Sequence, residues 1–404
     1  MAASRMAELA LLIATNTANI DTYLASKGLP TPSFDASQPA HLLNDNKLAA
    51  ARRAVLEATD ELHALMLGPI GILTSPSVRA SRLHLLELGA KTDRNKWRQH
   101  NFMISLQAIC RFGLATGFPT GKDQATFGEI ASSSGVCESQ LRRILRHAMT
   151  FRIFCEPRKG VVAHTAASKV LAENTLMREW IGMVSDEMWP AASRSKLWPD
   201  GLVQKSQISR QGISRSELQL RGTKIHQGFN IAHDTDKTVF DELAKHPERE
   251  KRYAAAMTWF STGPGLEPTH VVGGFAWDSI GKGTIVDIGG SHGSVSIALA
   301  QSFPSVHCIV QDQADVVKVA QTNLSLDLAT RVAFMEHDFF TEQPVKGADV
   351  YLLRWILHDW SDAYAIRILR ALIPALKQGS KIVVCEHILP EPGTVSTYQE
   401  RASR

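Results

Sequence analysis

The sequence predicts a doubly wound α/β domain over residues 271–404, preceded by a helical region and a winged helix. Three observations predict this architecture. Five short apolar runs alternate with helical stretches near the C-terminus, two helices around a glycine turn precede two further short runs, and the N-terminal part carries apolar residues at helical spacing. Alternating apolar strands and helices are typical of a parallel sheet covered on both faces.

Residues 1–100 are predicted to be helical. Apolar residues recur at helical spacing over Met6–Leu24 and again over about Leu48–Leu67, and the segment Gly28–Pro32 ends the first helix. Both stretches are amphipathic without charge runs, so we expect them to pack against another domain or another subunit. An ordinary helical cap would carry the same pattern.

Residues 101–190 have the pattern of a winged helix, in which a helix-turn-helix is followed by a hairpin. The predicted elements are a helix over Phe127–Ser132, a turn at Gly135, a helix over Glu138–Met149, and strands over Phe151–Glu156 and Val161–His164. Many winged helices bind DNA, and the second helix carries Arg142, Arg143 and Arg146, which also suit a solvated helix face. The whole chain has 44 basic and 40 acidic residues, a net charge of +4. Because nucleic-acid-binding proteins usually carry a denser basic patch, we expect no nucleic-acid partner.

Residues 191–270 are predicted to be a linker followed by helices. The stretch Pro190–Lys224 is polar, and its middle, Gln207–Thr223, has the composition of an insert or a loop. A helix is expected over Asp241–Thr258, and Gly263-Pro264-Gly265 breaks the chain after it.

Residues 271–404 hold the predicted sheet. Its strands are expected over Thr284–Ile288, Val306–Gln311, Val332–Met335, Asp349–Leu353 and Lys381–Cys385. The helices between them include Ser294–Phe303 and Asp362–Leu376, the second with Ser361 as a candidate cap. Ligands of such sheets bind at the carboxyl ends of the strands, so we expect the functional residues there.

The five cysteines are scattered and form neither a CxxC pair nor a Cys/His cluster. This usage argues against a disulfide framework and against a structural metal site. No apolar run approaches the length of a membrane span or of a signal segment. The sequence therefore predicts a cytoplasmic protein with no metal and no membrane segment.

A glycine-rich turn, Gly289–Gly293, follows the first strand of the sheet, where the missing Cβ atoms let the backbone approach a ligand. The second strand ends near Asp312, whose carboxylate can accept hydrogen bonds from both hydroxyls of a ribose. The third strand ends near Asp338 and Phe339, an acceptor and a ring suited to an adenine. A dinucleotide site shows the same order, but usually with GxGxxG in place of the GGxxG found here. Helix caps and loop acceptors would also explain the two aspartates.

The fourth strand is followed by Leu357-His358-Asp359-Trp360-Ser361-Asp362. Together with Gly289–Gly293, Asp312 and His337-Asp338-Phe339-Phe340, this motif resembles the plant- and fungal-type O-methyltransferases. The closest likeness is to fungal enzymes that methylate polyketide phenols, such as those of the sterigmatocystin pathway. The resemblance extends from about residue 60 to the end of the chain, with the four motifs in the family's order.

The resemblance implies a Rossmann-like methyltransferase domain that binds S-adenosyl-L-methionine and methylates a small phenolic substrate. It implies that the winged-helix region builds a homodimer and caps the substrate pocket. The implied cofactor residues are Gly289, Gly290, Gly293, Asp312 at the ribose, Asp338 and Phe339 at the adenine, and Arg354, which stands where the family often has a lysine. The implied catalytic residues are His358 as general base and Glu386 as the carboxylate that orients its ring, and Tyr253 and Met257 would line the acceptor pocket.

A histidine base suits methylation of a phenol because the neutral hydroxyl is a poor nucleophile. A phenol with a pKa of about 10 is only about one part in a thousand ionised at pH 7, a deficit of roughly 4 kcal/mol. A positioned base typically contributes about 10²–10⁴-fold to the rate. Neutral imidazole accepts the proton on one nitrogen when a carboxylate holds the N–H of the other, which is the role expected of Glu386. A lone histidine at a strand end is usually structural, and we interpret His292, His307 and His387 in that way.

The sequence departs from the family near its end. Family members continue past the position of Glu386 with two more strands and a second acidic residue beside the base, whereas this sequence ends at Arg404. We therefore expect a C-terminally shortened catalytic domain whose fifth strand is left as an edge.

Three other functions fit parts of the pattern. A methyltransferase-like protein can use bound S-adenosylmethionine to promote dehydration or a pericyclic step without moving the methyl group. A regulator would bind DNA through the winged helix, and that binding would depend on salt. A shortened, inactive homologue would dimerise without turnover.

Overall fold

The computed structural model describes residues 3–34, 46–83, 94–194, 228–263, 266–360, 362–391 and 393–403. The chain divides into two units, one comprising Met1–Ser81 and Leu88–Ser185, the other Arg82–Glu87 and Asp186–Arg404. Three predicted features lie outside the described residues: the polar stretch Gln207–Thr223, the Pro264-Gly265 pair and the Ser361 cap.

Long helices open the first unit: α1 (Arg5–Ser26), α2 (Asn46–Leu83) and α3 (Arg94–Arg111). The Ser4 hydroxyl caps α1 by accepting a hydrogen bond from the backbone N–H of Ala7. The two helices predicted from apolar spacing are confirmed. Helix α2 continues beyond the predicted end at Leu67 after an interruption at Gly68, whose φ of 65° and ψ of 178° are not helical.

A winged helix follows α3. Its elements are β1 (Gln124–Thr126), α4 (Phe127–Ser134), α5 (Glu138–Met149), β2 (Cys155–Arg158) and β3 (Val161–Ala163), and the helices α6 (Ala166–Glu173) and α7 (Thr175–Met183) follow. The three strands pair antiparallel in the order β1-β3-β2. Thr126 and Glu129 form a capping box at the start of α4, and Gly135 ends that helix in the left-handed conformation.

The predicted strand over Phe151–Glu156 is wrong for its first four residues. Arg152 and Phe154 have φ values of 63° and 64°, so the chain turns there and the strand begins only at Cys155. Strand β1 went unpredicted because three residues are too few to show a periodicity.

The arginines on α5 are engaged within the winged helix. Arg146 makes two 2.8 Å hydrogen bonds to the carboxylate of Glu156, and Arg142 pairs with Glu138. Both guanidinium groups also lie over the ring of Phe127. This arrangement supports the interpretation of these two side chains as part of a structural helix face.

The second unit opens with short helices. They are α8 (Trp189–Arg194), α9 (Gly228–His233), α10 (Val239–Leu243), α11 (Pro247–Ser261) and α12 (Pro268–Gly274). A π-helical turn at Val184–Met188 precedes them, and a 3₁₀ turn at Trp277–Ile280 follows them. The single helix predicted over Asp241–Thr258 is wrong. The chain breaks between Ala244 and His246, because Pro247 cannot continue a helix but starts a new one well.

A five-stranded parallel sheet forms the rest of the second unit, and it confirms the predicted fold class. Its strands are β4 (Thr284–Ile288), β5 (His307–Asp312), β6 (Val332–Glu336), β7 (Val350–Arg354) and β8 (Lys381–Cys385), in the spatial order β6-β5-β4-β7-β8. The accompanying helices are α13 (Ser294–Ser302), α14 (Ala314–Asn323), α15 (Asp362–Leu372) and α16 (Thr397–Ser403). Helix α15 ends before the predicted Leu376, because a 3₁₀ turn at Ile373–Ala375 follows it.

Successive residues of the central strands enter two separate cores. Ile285 and Leu352 pack on one face of the sheet with Leu299 of α13, whereas Val286 and Leu353 pack on the other. Ile368 and Leu372 of α15 cover that second face. Helices on both faces make the sheet doubly wound.

Strand β8 lies at one edge of the sheet. Its side chains Ile382 and Val384 are 40% and 47% exposed, so its outward face is apolar and open. Strand β8 is thus the edge strand of the sheet that the described residues form.

Candidate active site

The glycine turn lies at the carboxyl end of β4. Gly289 and Gly293 have φ values of 67° and 74°, which favour glycine. A Cβ added at Gly289 would lie 2.4 Å from Cδ1 of Ile356, and one at Gly290 would lie 2.7 Å from the carboxyl group of Asp287. A Cβ at Gly293 would press on Phe334 and Val310 at 3.1 Å. The three glycine positions of the turn thus have no room for a side chain and present bare backbone.

Asp312 lies beside this turn, at the end of the neighbouring strand β5. Its Oδ2 accepts the backbone N–H of Ser291 and its Oδ1 accepts that of Gln313, both at 2.8 Å. A carboxylate offers about two lone pairs on each oxygen, so one on each stays available for a pair of hydroxyl groups. Burial raises the pKa of Asp312, against the lowering effect of the two N–H groups.

Asp338 and Phe339 follow β6. The Asp338 carboxylate accepts the N–H of Phe340 at 2.9 Å and is otherwise exposed. The ring of Phe339 reaches the glycine turn, where its Cε1 would lie 3.8 Å from a Cβ on Gly289. Phe339 also packs edge-on against Trp360, with ring centroids 5.9 Å apart. The structure therefore brings Phe339 to the glycine turn, and the adenine-binding role of Asp338 stays a prediction.

Arg354 ends strand β7. Its guanidinium donates to the carbonyl of Leu266 and lies 3.8 Å from the ring centroid of Trp355, and its buried Nε has no hydrogen-bond partner among the described residues. Burial lowers the pKa of this group. A contact between Arg354 and a cofactor stays a prediction.

His358 lies in a short 3₁₀ turn, Leu357–Asp359, after β7, and Glu386 follows β8. Oε2 of Glu386 lies 2.6 Å from Nδ1 of His358. Its other oxygen, Oε1, accepts the backbone N–H groups of Ile356 and Leu357 at 3.0 and 2.8 Å. One carboxylate thus holds both the imidazole ring and the loop that carries it.

The loop also holds a strained residue. Trp355 has a φ of 55°, an uncommon value for a bulky side chain, and its N–H donates to the carbonyl of Cys385 at 3.1 Å. Strain of this kind persists where surrounding contacts impose it, often at functional sites. Ile356, the next residue, joins this loop to the glycine turn through its contact with Gly289.

Asp359 is a residue of the site that the sequence did not single out. Its Oδ1 lies 3.4 Å from Nε2 of His358, the ring nitrogen that faces away from Glu386. Both side chains are about half exposed, at 42% for Asp359 and 52% for His358. The position of Asp359 directly after His358 was the only available signal.

Tyr253 and Met257 lie one turn apart on α11. The ring of Tyr253 meets Phe240 edge-on at 5.8 Å, and Phe240 lies 6.3 Å from Trp360. Burial and then the carboxylate of Asp359 raise the pKa of the Tyr253 phenol. Aromatic contacts therefore connect Tyr253 to the His358 loop, whereas Met257 is partly buried and has no described contact with that loop.

Asp287 is a second residue that sequence reasoning left without a role. It is 2% exposed, and its Oδ2 accepts a hydrogen bond from the Ser296 hydroxyl at 2.7 Å. Burial raises its pKa to about 6.

A separate cavity of about 680 Å³ lies near α9 and α10. None of the predicted site residues lines it.

The profile of the O-methyltransferase domain matches residues 220–402. The chain is 39% identical to the "Grayanic acid biosynthesis cluster O-methyltransferase" of Cladonia grayi, over 99% of this chain and 77% of that protein. It is 34% identical to the "Chlorophenol O-methyltransferase" of Trichoderma longibrachiatum, over 100% of this chain and 80% of that protein. This chain belongs to the O-methyltransferase family.

A solved structure supports the fold of this methyltransferase. OxaC, crystallised in complex with SAH and oxaline, superposes with a TM-score of 0.64 at 20% identity, over 99% of this chain and 89% of that one. Within the residues that the structure describes, no helix combines the length and the apolar character that a membrane crossing requires.

Proposed function

We propose that this methyltransferase moves a methyl group from S-adenosyl-L-methionine to a phenolic hydroxyl of a small, polyketide-like aromatic compound, with His358 as the general base. The 2.6 Å contact between Glu386 Oε2 and His358 Nδ1 carries the proposal. An ionised carboxylate there favours the tautomer with its proton on Nδ1, which leaves the Nε2 lone pair free to accept a proton. The relative named as a chlorophenol O-methyltransferase supports a phenolic acceptor.

His358 takes the hydroxyl proton on Nε2 as the oxygen becomes a nucleophile. The imidazolium that forms lies between two carboxylates, Glu386 at Nδ1 and Asp359 at Nε2. Opposite charges at these distances stabilise the charged ring. The backbone bonds from Ile356 and Leu357 to Glu386 keep the ring in place through the step.

The residues around the glycine turn fit the proposed cofactor. The crowded positions Gly289, Gly290 and Gly293 let the backbone approach its amino-acid part, and Asp312 has a lone pair on each oxygen for the two ribose hydroxyls. Asp338 and Phe339 would hold the adenine by edge and face. When bound, the cofactor supplies an electrophilic methyl group on its sulfonium sulfur.

The acceptor side of the site is aromatic. Phe240 and Trp360 line it next to Tyr253, and Met257 extends the same helix face. Flat apolar walls suit a planar aromatic acceptor, and His358 and Asp359 supply polar groups beside them.

We also propose that the methyltransferase forms a homodimer through its first unit. Exposed apolar side chains on its helices support this, among them Leu11, Leu12, Leu56, Met66, Ile70 and Ile104. Light scattering after size exclusion would show twice the mass of one chain, and a monomer at micromolar concentration would contradict the proposal.

The decisive experiment combines calorimetry with S-adenosylhomocysteine and mass spectrometry of 2-chlorophenol incubated with S-adenosylmethionine. We expect a product heavier by one CH₂, and we expect His358→Ala to lose at least about 10²-fold in rate while cofactor affinity stays within about threefold. His307→Ala is the matched control, because His307 begins β5 at the opposite end of the sheet. A His358→Ala variant that methylates at the normal rate would overturn the base assignment, and 2-chlorophenol recovered unchanged from the wild-type reaction would contradict methyl transfer to a simple phenol.

A further inference from the structure

Tyr253 brings a hydroxyl group to the aromatic side of the site. Its ring packs edge-on against Phe240, and its phenol lies within electrostatic reach of the carboxylate that follows His358 in the chain. The hydroxyl makes no hydrogen bond with any residue that the structure describes. Burial, and after it the charge of Asp359, raise the pKa of the Tyr253 phenol, so this group stays protonated at neutral pH. The site therefore holds a hydrogen-bond donor that the described protein groups leave unused.

Helix α11, which carries Tyr253, is anchored at both ends within the second unit. One turn before Tyr253, Arg249 donates from Nε and Nη2 to the two carboxylate oxygens of Glu187, at 2.8 and 2.7 Å. Glu187 is only 3% exposed, so solvent competes little for this ion pair. At the other end, Phe260 packs against Trp355 with ring centroids 5.3 Å apart. The phenol is thus held in place before a ligand binds, which lowers the entropic cost of a hydrogen bond to it.

We propose that Tyr253 determines acceptor specificity by donating a hydrogen bond to a neutral carbonyl oxygen, which the acceptor carries in addition to its reacting hydroxyl. This inference rests on the proposed function, and it specifies the substrate class of the same site: aromatic compounds that combine a phenolic hydroxyl with a ketone, aldehyde or ester group.

A carbonyl oxygen complements this phenol because it accepts hydrogen bonds and brings no proton of its own. An apolar substituent in the same place would displace water from the Tyr253 hydroxyl and leave it unpaired, at a cost of about 1–3 kcal/mol. Sites that hydrogen-bond a ligand group discriminate strongly against the analogue without that group. The neighbouring rings of Phe240 and Trp360 suit the aromatic body of such a ligand but supply no competing carbonyl.

The test compares ligands of similar size that differ in one carbonyl oxygen: 3-hydroxyacetophenone with 3-ethylphenol, and 4-hydroxyacetophenone with 4-ethylphenol. Dissociation constants are measured by calorimetry in the presence of S-adenosylhomocysteine. In at least one pair, we expect wild-type protein to bind the ketone about tenfold or more tightly than the ethylphenol.

Tyr253→Phe removes the hydroxyl and keeps the ring. For the same pair, it should reduce the ratio of ethylphenol to ketone dissociation constants by about five- to tenfold, while ethylphenol affinity stays within about twofold. Tyr398→Phe is the matched control, because Tyr398 is 48% exposed on α16, and it should leave the ratio unchanged. Lack of a preference in both wild-type pairs, or an unchanged ratio in Tyr253→Phe, would overturn the inference.

The carbonyl stretching band of the bound ketone is a second readout that needs only wild-type protein. A hydrogen bond from Tyr253 should lower its frequency relative to the same ketone in an aprotic solvent, and Tyr253→Phe should reverse that shift. An unshifted band would contradict the inference. Failure of the proposed function is distinguishable, because the ketone preference and the band shift would then hold while no ligand gains a methyl group.

Discussion

The glycine turn and the His358 loop lie at the same edge of the sheet, but they are held by different means. The turn keeps its shape because side chains are missing, since a Cβ at Gly289 or Gly290 would collide with its neighbours. The loop keeps its shape because one side chain is present, since Glu386 accepts two backbone N–H groups and contacts the His358 ring. The first arrangement should tolerate no added atom, and the second should depend on a single carboxylate.

The largest effect is expected from Glu386→Ala. It leaves the N–H groups of Ile356 and Leu357 without their acceptor and frees the His358 ring, so we expect the methylation rate to fall by about 10³-fold or more. Glu386→Gln separates the two roles, because its amide oxygen can still accept the backbone N–H groups while its NH₂ group faces Nδ1 and favours the wrong tautomer.

The measurement is kcat with a saturating phenol, together with the thermal midpoint of each variant. We expect the Glu386→Gln variant to keep the wild-type midpoint and lose most activity, and the Glu386→Ala variant to lose both. A Glu386→Gln variant with normal kcat would show that the carboxylate serves the loop alone.

A smaller effect is expected from Gly289→Ala. The new methyl group would meet Ile356 at 2.4 Å on a backbone with φ of 67°, so either the turn or the His358 loop must move. We expect affinity for S-adenosylhomocysteine to fall by about 2 kcal/mol, or about 30-fold. Gly135→Ala is the matched control, because Gly135 has the same φ of 67° and open space around it.

Calorimetry and thermal denaturation of both alanine variants separate two effects. One is the backbone strain of a positive φ, which both variants share, and the other is the collision with Ile356, which only Gly289→Ala has. Gly135→Ala should lower stability by roughly 1 kcal/mol and leave cofactor binding intact. If Gly289→Ala binds the cofactor as wild type does, the glycine turn is not the cofactor cradle.

Much of the structure at the carboxyl edge of the sheet can be predicted from local sequence signals. The strands β4 and β8 have the bounds that their apolar runs predict. Asp312 ends β5, and Phe339 and His358 follow the ends of β6 and β7. A parallel sheet brings the carboxyl ends of its strands together whatever lies between them, so residues far apart in sequence meet. The 2.6 Å pairing of His358 with Glu386 follows from the adjacency of β7 and β8.

The remaining features depend on tertiary contacts that a local pattern does not encode. The break before Pro247 divides a stretch whose apolar spacing suits one helix. Arg354 binds the Leu266 carbonyl, 88 residues away in sequence, and nothing in its strand indicates that partner. The approach of Asp359 to Nε2 depends on the backbone of a single 3₁₀ turn.

The smallest expected effect concerns the buried carboxyl group beneath the glycine turn. Burial raises the pKa of Asp287 to about 6, whereas an aspartate in the unfolded chain titrates near about 4. Between about pH 4 and pH 6 the folded chain holds a proton that the unfolded chain has lost, so the free energy of unfolding falls as the pH rises through this window. Above about pH 6 the Asp287 carboxylate is ionised in the folded protein, and its burial lowers the free energy of unfolding by the full amount.

Asp287→Asn removes that charge and keeps an acceptor for the Ser296 hydroxyl. We expect the free energy of unfolding to rise by roughly 1–2 kcal/mol at pH 8 and to stay nearly unchanged at pH 4, as measured by denaturant unfolding. The gain is smaller than the full pKa difference would supply, because an amide oxygen accepts a weaker hydrogen bond than a carboxylate. Asp327→Asn, at an exposed position, should show no such pH dependence. An equal gain in the free energy of unfolding at pH 4 and pH 8 would contradict this prediction. It would mean that packing around residue 287, rather than the charge of its carboxylate, limits stability beneath the glycine turn.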